Sequence, residues 1–319
     1  MMVPTRTRSL TDPRNGPIVL RGELLALGET DKSIARMLRD GTLVRVRHGA
    51  YASAEAWATL DVAGRFGLRG RAVLRQARTP CALYHVSGLP EYGAPTWGFD
   101  LSEVHVTRTD ALPGRKEAGV CQHRGLVRSG DLAEVNGVPV MSPERIALET
   151  VIHGNSEASL CVMNDLLHRN LTSIDALNAQ YVDMANWPGM RAAEILLRLA
   201  DPRIESVGET RTLYCCFRQG LPMPTPQVEI VDGSGQVVAR VDFAWPELGV
   251  FLEFDGRVKY EKLLRDGERA SDVVIREKQR EELVCRLTGW RCIRVTWADL
   301  ENPARLAALI REVLYARAA

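Results

Sequence analysis

The stretch Arg240–Gly256, RVDFAWPELGVFLEFDG, carries one acid in each of two apolar runs, Asp242 in the first and Glu253 in the second. Acids are almost never fully buried without a partner, so their setting needs a cause. The loop Pro246–Gly249 joins the runs. If Trp245 opposes Val250, Asp242 opposes Glu253 across an antiparallel ladder. Their Cβ atoms would then lie about 4.5–5.5 Å apart, where like charges destabilise a sheet. A divalent cation removes that penalty, and one or two carboxylates plus water suit Mg²⁺, with Mn²⁺ as a substitute. Asp255 lies two residues beyond Glu253 and shares its face, so three acids are expected to converge at one end of a hairpin. The competing reading is a solvated face on which each acid pairs with an arginine. Against it stand Val241, Phe243, Phe251, Leu252 and Phe254, since strands with so little polar alternation are usually covered on both faces.

The surrounding pattern supplies the elements that would hold these acids. A helix is expected over about 206–219, a strand at QVEIV, a hairpin turn at DGSG, then the two acid-bearing strands. A helix over about 273–287 ends at Gly289, WRCIRVTW is a further strand, and PARLAALIREVLYARA closes the chain. The order is α-β-β-β-α-β-α. Ser206 and Glu209 form the S-x-x-E spacing of a capping box, so Glu209 either caps its helix or joins a metal shell. The run EKQREE is a solvated charge run by default. Glu277 and Glu281 nevertheless fall near the apolar face of that helix, within reach of an arginine or of the acids.

The N-terminal part is basic. Residues 1–80 hold 14 Lys or Arg against 7 Asp or Glu, although the whole chain of 319 residues carries a net charge of only +1. Such local excess points to an anionic partner, nucleic acid above all. Residues 1–16 read as a flexible basic arm. Residues 17–54 read as a winged helix-turn-helix: VLRGELLALG and TDKSIARMLRDG as helices, then TLVRVRHGAYA as a strand, turn and strand. Lys32, Ser33, Arg36 and Arg39 on the second helix would enter a major groove. Arg45, Arg47 and His48 on the wing would meet phosphates or the minor groove. Residues 55–202 read as a mixed α/β middle domain, with strands at EVHVTR and GVCQHRG and a helix capped by Ser142.

Seven cysteines without a C-x-x-C, and six dispersed histidines, argue against a zinc site or disulfide framework and fit a reducing cytoplasm. No secretory h-region and no membrane-spanning apolar run is read from the sequence.

The ordered pieces ESVGETR, RVDFAWPE, LEFDGRVKY, REKQREELVCRLTGW and RVTW resemble the PD-(D/E)XK nuclease superfamily, in particular its branch related to the very-short-patch repair endonuclease. The likeness spans about residues 203–315. It implies a restriction-endonuclease-like αβββαβ domain over 203–319 that hydrolyses DNA phosphodiesters with Mg²⁺. Asp242 and Glu253 would hold the metal, with Glu209 completing the shell. Where that pattern has a lysine two residues after the third-strand acid, this chain has Asp255. The resemblance then implies a lysine from elsewhere, Lys278 first and Lys259 second, to stabilise developing charge. The pieces LLALGETDKSIARMLRDGTLVRVRHGAYA, ALYHVSGLPEYG, VHVTR and GVPVMSPERIALETV resemble the AbiEi-like type IV antitoxin family over roughly 17–200. That likeness implies a DNA-binding regulator. His85 and the Ser142–Arg145 segment match positions of its middle domain, with His85 expected to be a buried structural residue.

The expectation is therefore an α+β multi-domain protein. It is read as a Mg²⁺-dependent DNA endonuclease delivered by a winged helix. The alternative is a DNA-binding regulator or antitoxin whose nuclease-like domain is degenerate. Expected partners are DNA, a second copy of the chain, and a toxin or defence-system protein.

Overall fold

The computed structural model describes residues 4–256 and 270–316, apart from the single positions 111, 118, 125 and 129. The protein is mixed α and β, with three sheets among the described residues, and its chain divides into two compact units. One comprises Met1–Leu166 with Asn170–Arg198, the other Leu167–Arg169 with Leu199–Ala319.

The first unit opens with β1 (Pro4–Thr5) and β2 (Val19–Leu20), followed by two short helices, α1 (Arg21–Ala26) and α2 (Asp31–Arg39). An antiparallel hairpin follows, β3 (Leu43–Arg47) and β4 (Ala50–Ser53), and β2 joins it in the order β2-β4-β3. The start of α2 is fixed locally: Ser33 N–H donates to Thr30 Oγ1 at 3.1 Å, and Thr30 N–H donates to Ser33 Oγ at 2.8 Å. Gly49, at φ +72°, makes the turn between β3 and β4, a conformation that carries a steric cost for residues with a Cβ. Leu24, Ile34 and Tyr51 form the small core beneath these elements.

Next come α3 (Ala54–Ala58), α4 (Val62–Gln76), β5 (Cys81–Leu83), α5 (Leu89–Tyr92), β6 (Val104–Arg108), β7 (Lys116–Glu117), β8 (Val120–Arg124), β9 (Leu132–Val135) and β10 (Val138–Met141). They build a sheet of order β1-β9-β10-β5-β6-β8-β7. Helices α6 (Pro143–His153), α7 (Ser156–His168), α8 (Ile174–Met184) and α9 (Arg191–Leu199) follow. Arg145 is buried. It donates from Nε to Glu149 Oε1 at 2.8 Å, pairs with Asp131, and lies over the Trp187 ring at 4.9 Å. Burial pushes the Glu149 carboxyl up to about 7 against the pull of Arg145.

The expected flexible arm over 1–16 is corrected for residues 4–16. β1 pairs in parallel with β9, and Arg8 reaches the buried Glu91 at 2.7 Å and Pro90 O at 2.8 Å. Glu91, fully buried, needs its cations. Arg8 and Arg71 both supply one, and this need ties the segment down.

The second unit runs α10 (Val207–Arg218), β11 (Thr225–Val231), β12 (Val237–Trp245), β13 (Val250–Asp255), α11 (Ala270–Thr288), β14 (Arg291–Thr296), α12 (Trp297–Leu300) and α13 (Pro303–Tyr315). This is the α-β-β-β-α-β-α order read from the sequence, with the short α12 added before the closing helix. The sheet order is β11-β12-β13-β14, antiparallel except for the parallel β13–β14 pair. Both faces are covered. Phe243, Trp245, Leu252 and Phe254 pack in one core with Leu213 and Cys216 of α10 and Leu306 and Ile310 of α13, while Ala244 and Phe251 pack with Val284 of α11. This two-sided cover is why the strands read as almost unbroken apolar runs.

Gly208 sets how closely α10 approaches β13, because a Cβ there would overlap the Phe254 ring. Gly208→Ala is expected to lower stability by about 1–3 kcal/mol through overpacking, read as a lower urea midpoint at unchanged slope.

Candidate functional site

In the second unit a line of polar residues crosses the buried part of the sheet. Trp245 pairs with Val250, Ala244 with Phe251 and Phe243 with Leu252. The Trp245–Val250 pair is the one the loop length predicts; the registered ladder ends at Phe243–Leu252, and Asp242 and Glu253 are the next residues on β12 and β13. There the ladder is completed by a side chain: Phe254 N–H donates to Asp242 Oδ2 at 2.8 Å. Gln227 falls opposite Asp242, between the registered pairs Pro226–Phe243 and Val228–Val241. On the other side Glu253 is registered with Arg294. Gln227, Asp242, Glu253 and Arg294 thus lie on one transverse line through all four strands.

Each acid is held by protein groups. Asp242 and Glu253 are 8% and 7% exposed. Glu253 receives Arg280 Nη2 of α11 at 3.1 Å, and the same guanidinium donates from Nη1 to Arg240 O at 2.9 Å. Glu209 is buried at the start of α10. It accepts from Ser206 Oγ at 2.7 Å, Glu205 N–H at 3.0 Å and Gln227 Nε2 at 3.0 Å, while its own N–H donates to Ser206 Oγ. The capping role and a link to the acid line therefore coexist in one side chain. Asp255 faces Arg294 at 3.8 Å, and Arg294 holds Glu281 through Nε at 2.6 Å.

The expected convergence of three acids is corrected. Among the described residues, Glu209, Asp242, Glu253 and Asp255 do not supply three carboxylate oxygens all within 4.8 Å of one another. The reason is that each is drawn to a different donor: a backbone amide, Arg280, Arg294, or the α10 cap. Lys278, expected as the electrostatic stabiliser, is exposed on α11, and among the described residues Arg280 is a cation against Glu253. Lys259 and the side chain of Glu277 lie outside the described residues. Burial pushes the Cys292 thiol well above its ordinary range, with Glu281 and Glu253 adding to the shift, so it is poorly suited to act as a nucleophile.

Sequence reasoning missed Gln227 and Arg280. Gln227 sits at φ +54°, a left-handed conformation that non-glycine residues hold only when their surroundings over-determine it. Nothing in PTPQVEIV signals that. Arg280 was legible in principle, four residues before the buried Val284 on one helix, but only the fold puts it beside Glu253.

In the first unit, α2 turns Ile34 into the core and leaves Lys32, Arg36 and Arg39 exposed on the side away from it. Their spacing of four and three residues lines them along one helix face. Ser33 is consumed by the cap with Thr30. Arg45 and His48 are exposed on the hairpin. Arg47 is half-buried, and it lines a cleft of about 580 Å³ together with Arg78, Arg108 and Arg115. Arg108 and Arg115 are paired there with Asp110 and Glu117. His85 is buried at φ +53°, its backbone N–H donating to Glu149 Oε2 at 3.0 Å. Among the described residues no helix is long and apolar enough to cross a membrane.

Residues 12–54 match the family described as "Transcriptional regulator, AbiEi antitoxin". An uncharacterized protein of Mycobacterium tuberculosis, present in strains CDC 1551 and H37Rv, is 28% identical over 294 residues, covering 88% of this chain and 96% of that protein. The crystal structure of the RV2827C protein of the same species aligns with a TM-score of 0.38 at 19% identity, over 57% of this chain and 71% of that one.

The Asp242 bond to Phe254 gives a prediction independent of any metal. Asp242→Ala leaves a buried amide without its acceptor and should cost about 1–3 kcal/mol. Asp242→Asn keeps an oxygen at that position and should cost clearly less, as read from paired urea unfolding curves.

Proposed function

We propose that the protein is a DNA-binding regulator of the antitoxin type, reading DNA with α2 and the β3–β4 hairpin in the manner of a winged helix. The observation that carries this is the cationic face Lys32–Arg36–Arg39, lying inside the segment 12–54 that matches the regulator family. Ammonium and guanidinium groups on one face of a short helix suit phosphates and the guanine edge of a major groove. Arg45 and His48 extend the same charge along the hairpin. A cytoplasmic location, a toxin partner and a homodimer on a two-fold operator belong to this reading.

The test is a gel-shift titration with DNA from upstream of the protein's own coding sequence, at two salt concentrations. Lys32→Ala, Arg36→Ala and Arg39→Ala should each weaken binding, and each lost phosphate contact should reduce the salt slope by about 1. A triple variant that binds like the wild type would sink the proposal.

A second reading, a Mg²⁺- or Mn²⁺-dependent endonuclease, is favoured by one observation: Asp242 and Glu253 are buried on adjacent strands of a unit with the α-β-β-β-α-β order. Two carboxylates on adjacent strands meet what Mg²⁺ asks of a protein. Asp242 and Glu253 would hold it, Glu209 would steady the line through Gln227, and Asp255 would flank it. When bound, the ion would polarise a phosphoryl oxygen and activate a water. Arg280, already on Glu253, would hold that carboxylate in place and supply the positive charge expected of Lys278. Plasmid nicking with each metal decides between the readings. Activity lost in both Asp242→Asn and Glu253→Gln supports the enzyme. No nicking by wild type that still shifts DNA leaves the regulator.

A further inference from the structure

The six histidines and seven cysteines look scattered along the chain, but folding gathers three of them. β6 and β8 are adjacent and parallel, with His105 registered to Cys121 and Thr107 to His123. His105, Cys121 and His123 therefore lie on one face of the sheet. The alternate residues Val104, Val106 and Val120 are buried. One ring nitrogen of each histidine and the Cys121 sulfur all lie within 4.8 Å of one another, and among the described residues this is the one such group of three. His105 Nδ1 and His123 Nε2 are 2.9 Å apart.

We propose that His105, Cys121 and His123 form a binding site for a borderline-soft divalent transition metal, Zn²⁺ in the first instance. Two imidazoles and a thiolate are soft nitrogen and sulfur donors, which select Zn²⁺ over Mg²⁺ or Ca²⁺. Bonds of about 2.0–2.3 Å in a tetrahedron put ligand atoms about 3.3–3.6 Å apart. The pair at 2.9 Å needs to open by only a few tenths of an ångström, and the ion would take the place of the proton the two rings share. The site is built around its ligands. Tyr84 stacks on His123 with centroids 4.4 Å apart, His105 stacks on His123 at 5.2 Å, and the His105 backbone N–H donates to Ser87 Oγ at 2.8 Å. All three ligands are half-buried, so an ion can enter without unfolding the sheet. Three protein ligands leave a fourth position for water or a small anion. His85 stands edge-on to His105 at 5.2 Å.

The competing account is an aromatic stack in which two histidines merely share a proton. Titration of the full chain with Co²⁺ separates the two. The metal site predicts one equivalent bound, with the visible bands of tetrahedral Co²⁺ and an ultraviolet thiolate charge-transfer band, both displaced by Zn²⁺ and indifferent to excess Mg²⁺. Cys121→Ser should abolish the thiolate band, and His123→Gln should weaken binding at least about tenfold. Should either variant fail to fold, the wild type still decides. Added Zn²⁺ should slow alkylation of Cys121 at least severalfold while leaving Cys285, on α11, unchanged. No thiolate band, a band retained in Cys121→Ser, or Cys121 alkylated equally fast with and without Zn²⁺ would overturn the proposal.

Discussion

A carboxylate inside a sheet covered on both faces must be met by a donor, and this requirement organises the second unit. Asp242 takes the Phe254 amide and so ties β12 to β13. Glu253 takes Arg280 and so ties β13 to α11. Glu209 takes Gln227 and so ties α10 to β11. These three bonds join three strands and two helices. They also fix register, since a slip of one residue would turn Asp242 and Glu253 away from their donors and into the apolar core shared by Leu252 and Phe254. The same arrangement bears on chemistry. Donors that hold acids firmly also occupy their oxygens, so a cation must compete with Arg280 for Glu253.

The first unit solves the equivalent problem with arginines. Glu91, fully buried, meets Arg8 and Arg71; Glu149 and Asp131 meet Arg145. Removing one partner of such a group strands the other as a buried charge, which costs more than the pair itself contributes. Against this paired interior, the cations of α2 stand out. They lie on the solvent side of their helix, where their charge is available to a phosphate backbone.

The sequence was most legible where local chemistry decides. The loop WPELGV set the register that pairs Trp245 with Val250, and the helix read at TDKSIARMLRDG begins at Asp31 behind its Thr30 cap. Near-continuous apolar runs announced strands covered on both sides. Legibility failed where a partner is distant in sequence. Arg8 reads as part of a basic arm until Glu91 is seen beside it. Three acids seemed bound to converge until their separate donors were known. The left-handed Gln227 has no signature in its neighbours, and His105, Cys121 and His123 become a set only when β6 and β8 pair.

The parallel pairing of β13 with β14 has a consequence for biosynthesis. Strands β11, β12 and β13 follow one another closely and can pair as they emerge, whereas β14 waits for the whole crossover between Asp255 and Arg291. Until it arrives, β13, whose residues 250–254 are all buried in the finished fold, is an open edge, the kind of surface that recruits other chains. At ordinary translation speeds the interval is on the order of seconds. The yield of native protein should therefore depend on elongation rate through this crossover as well as on the stability of the finished fold.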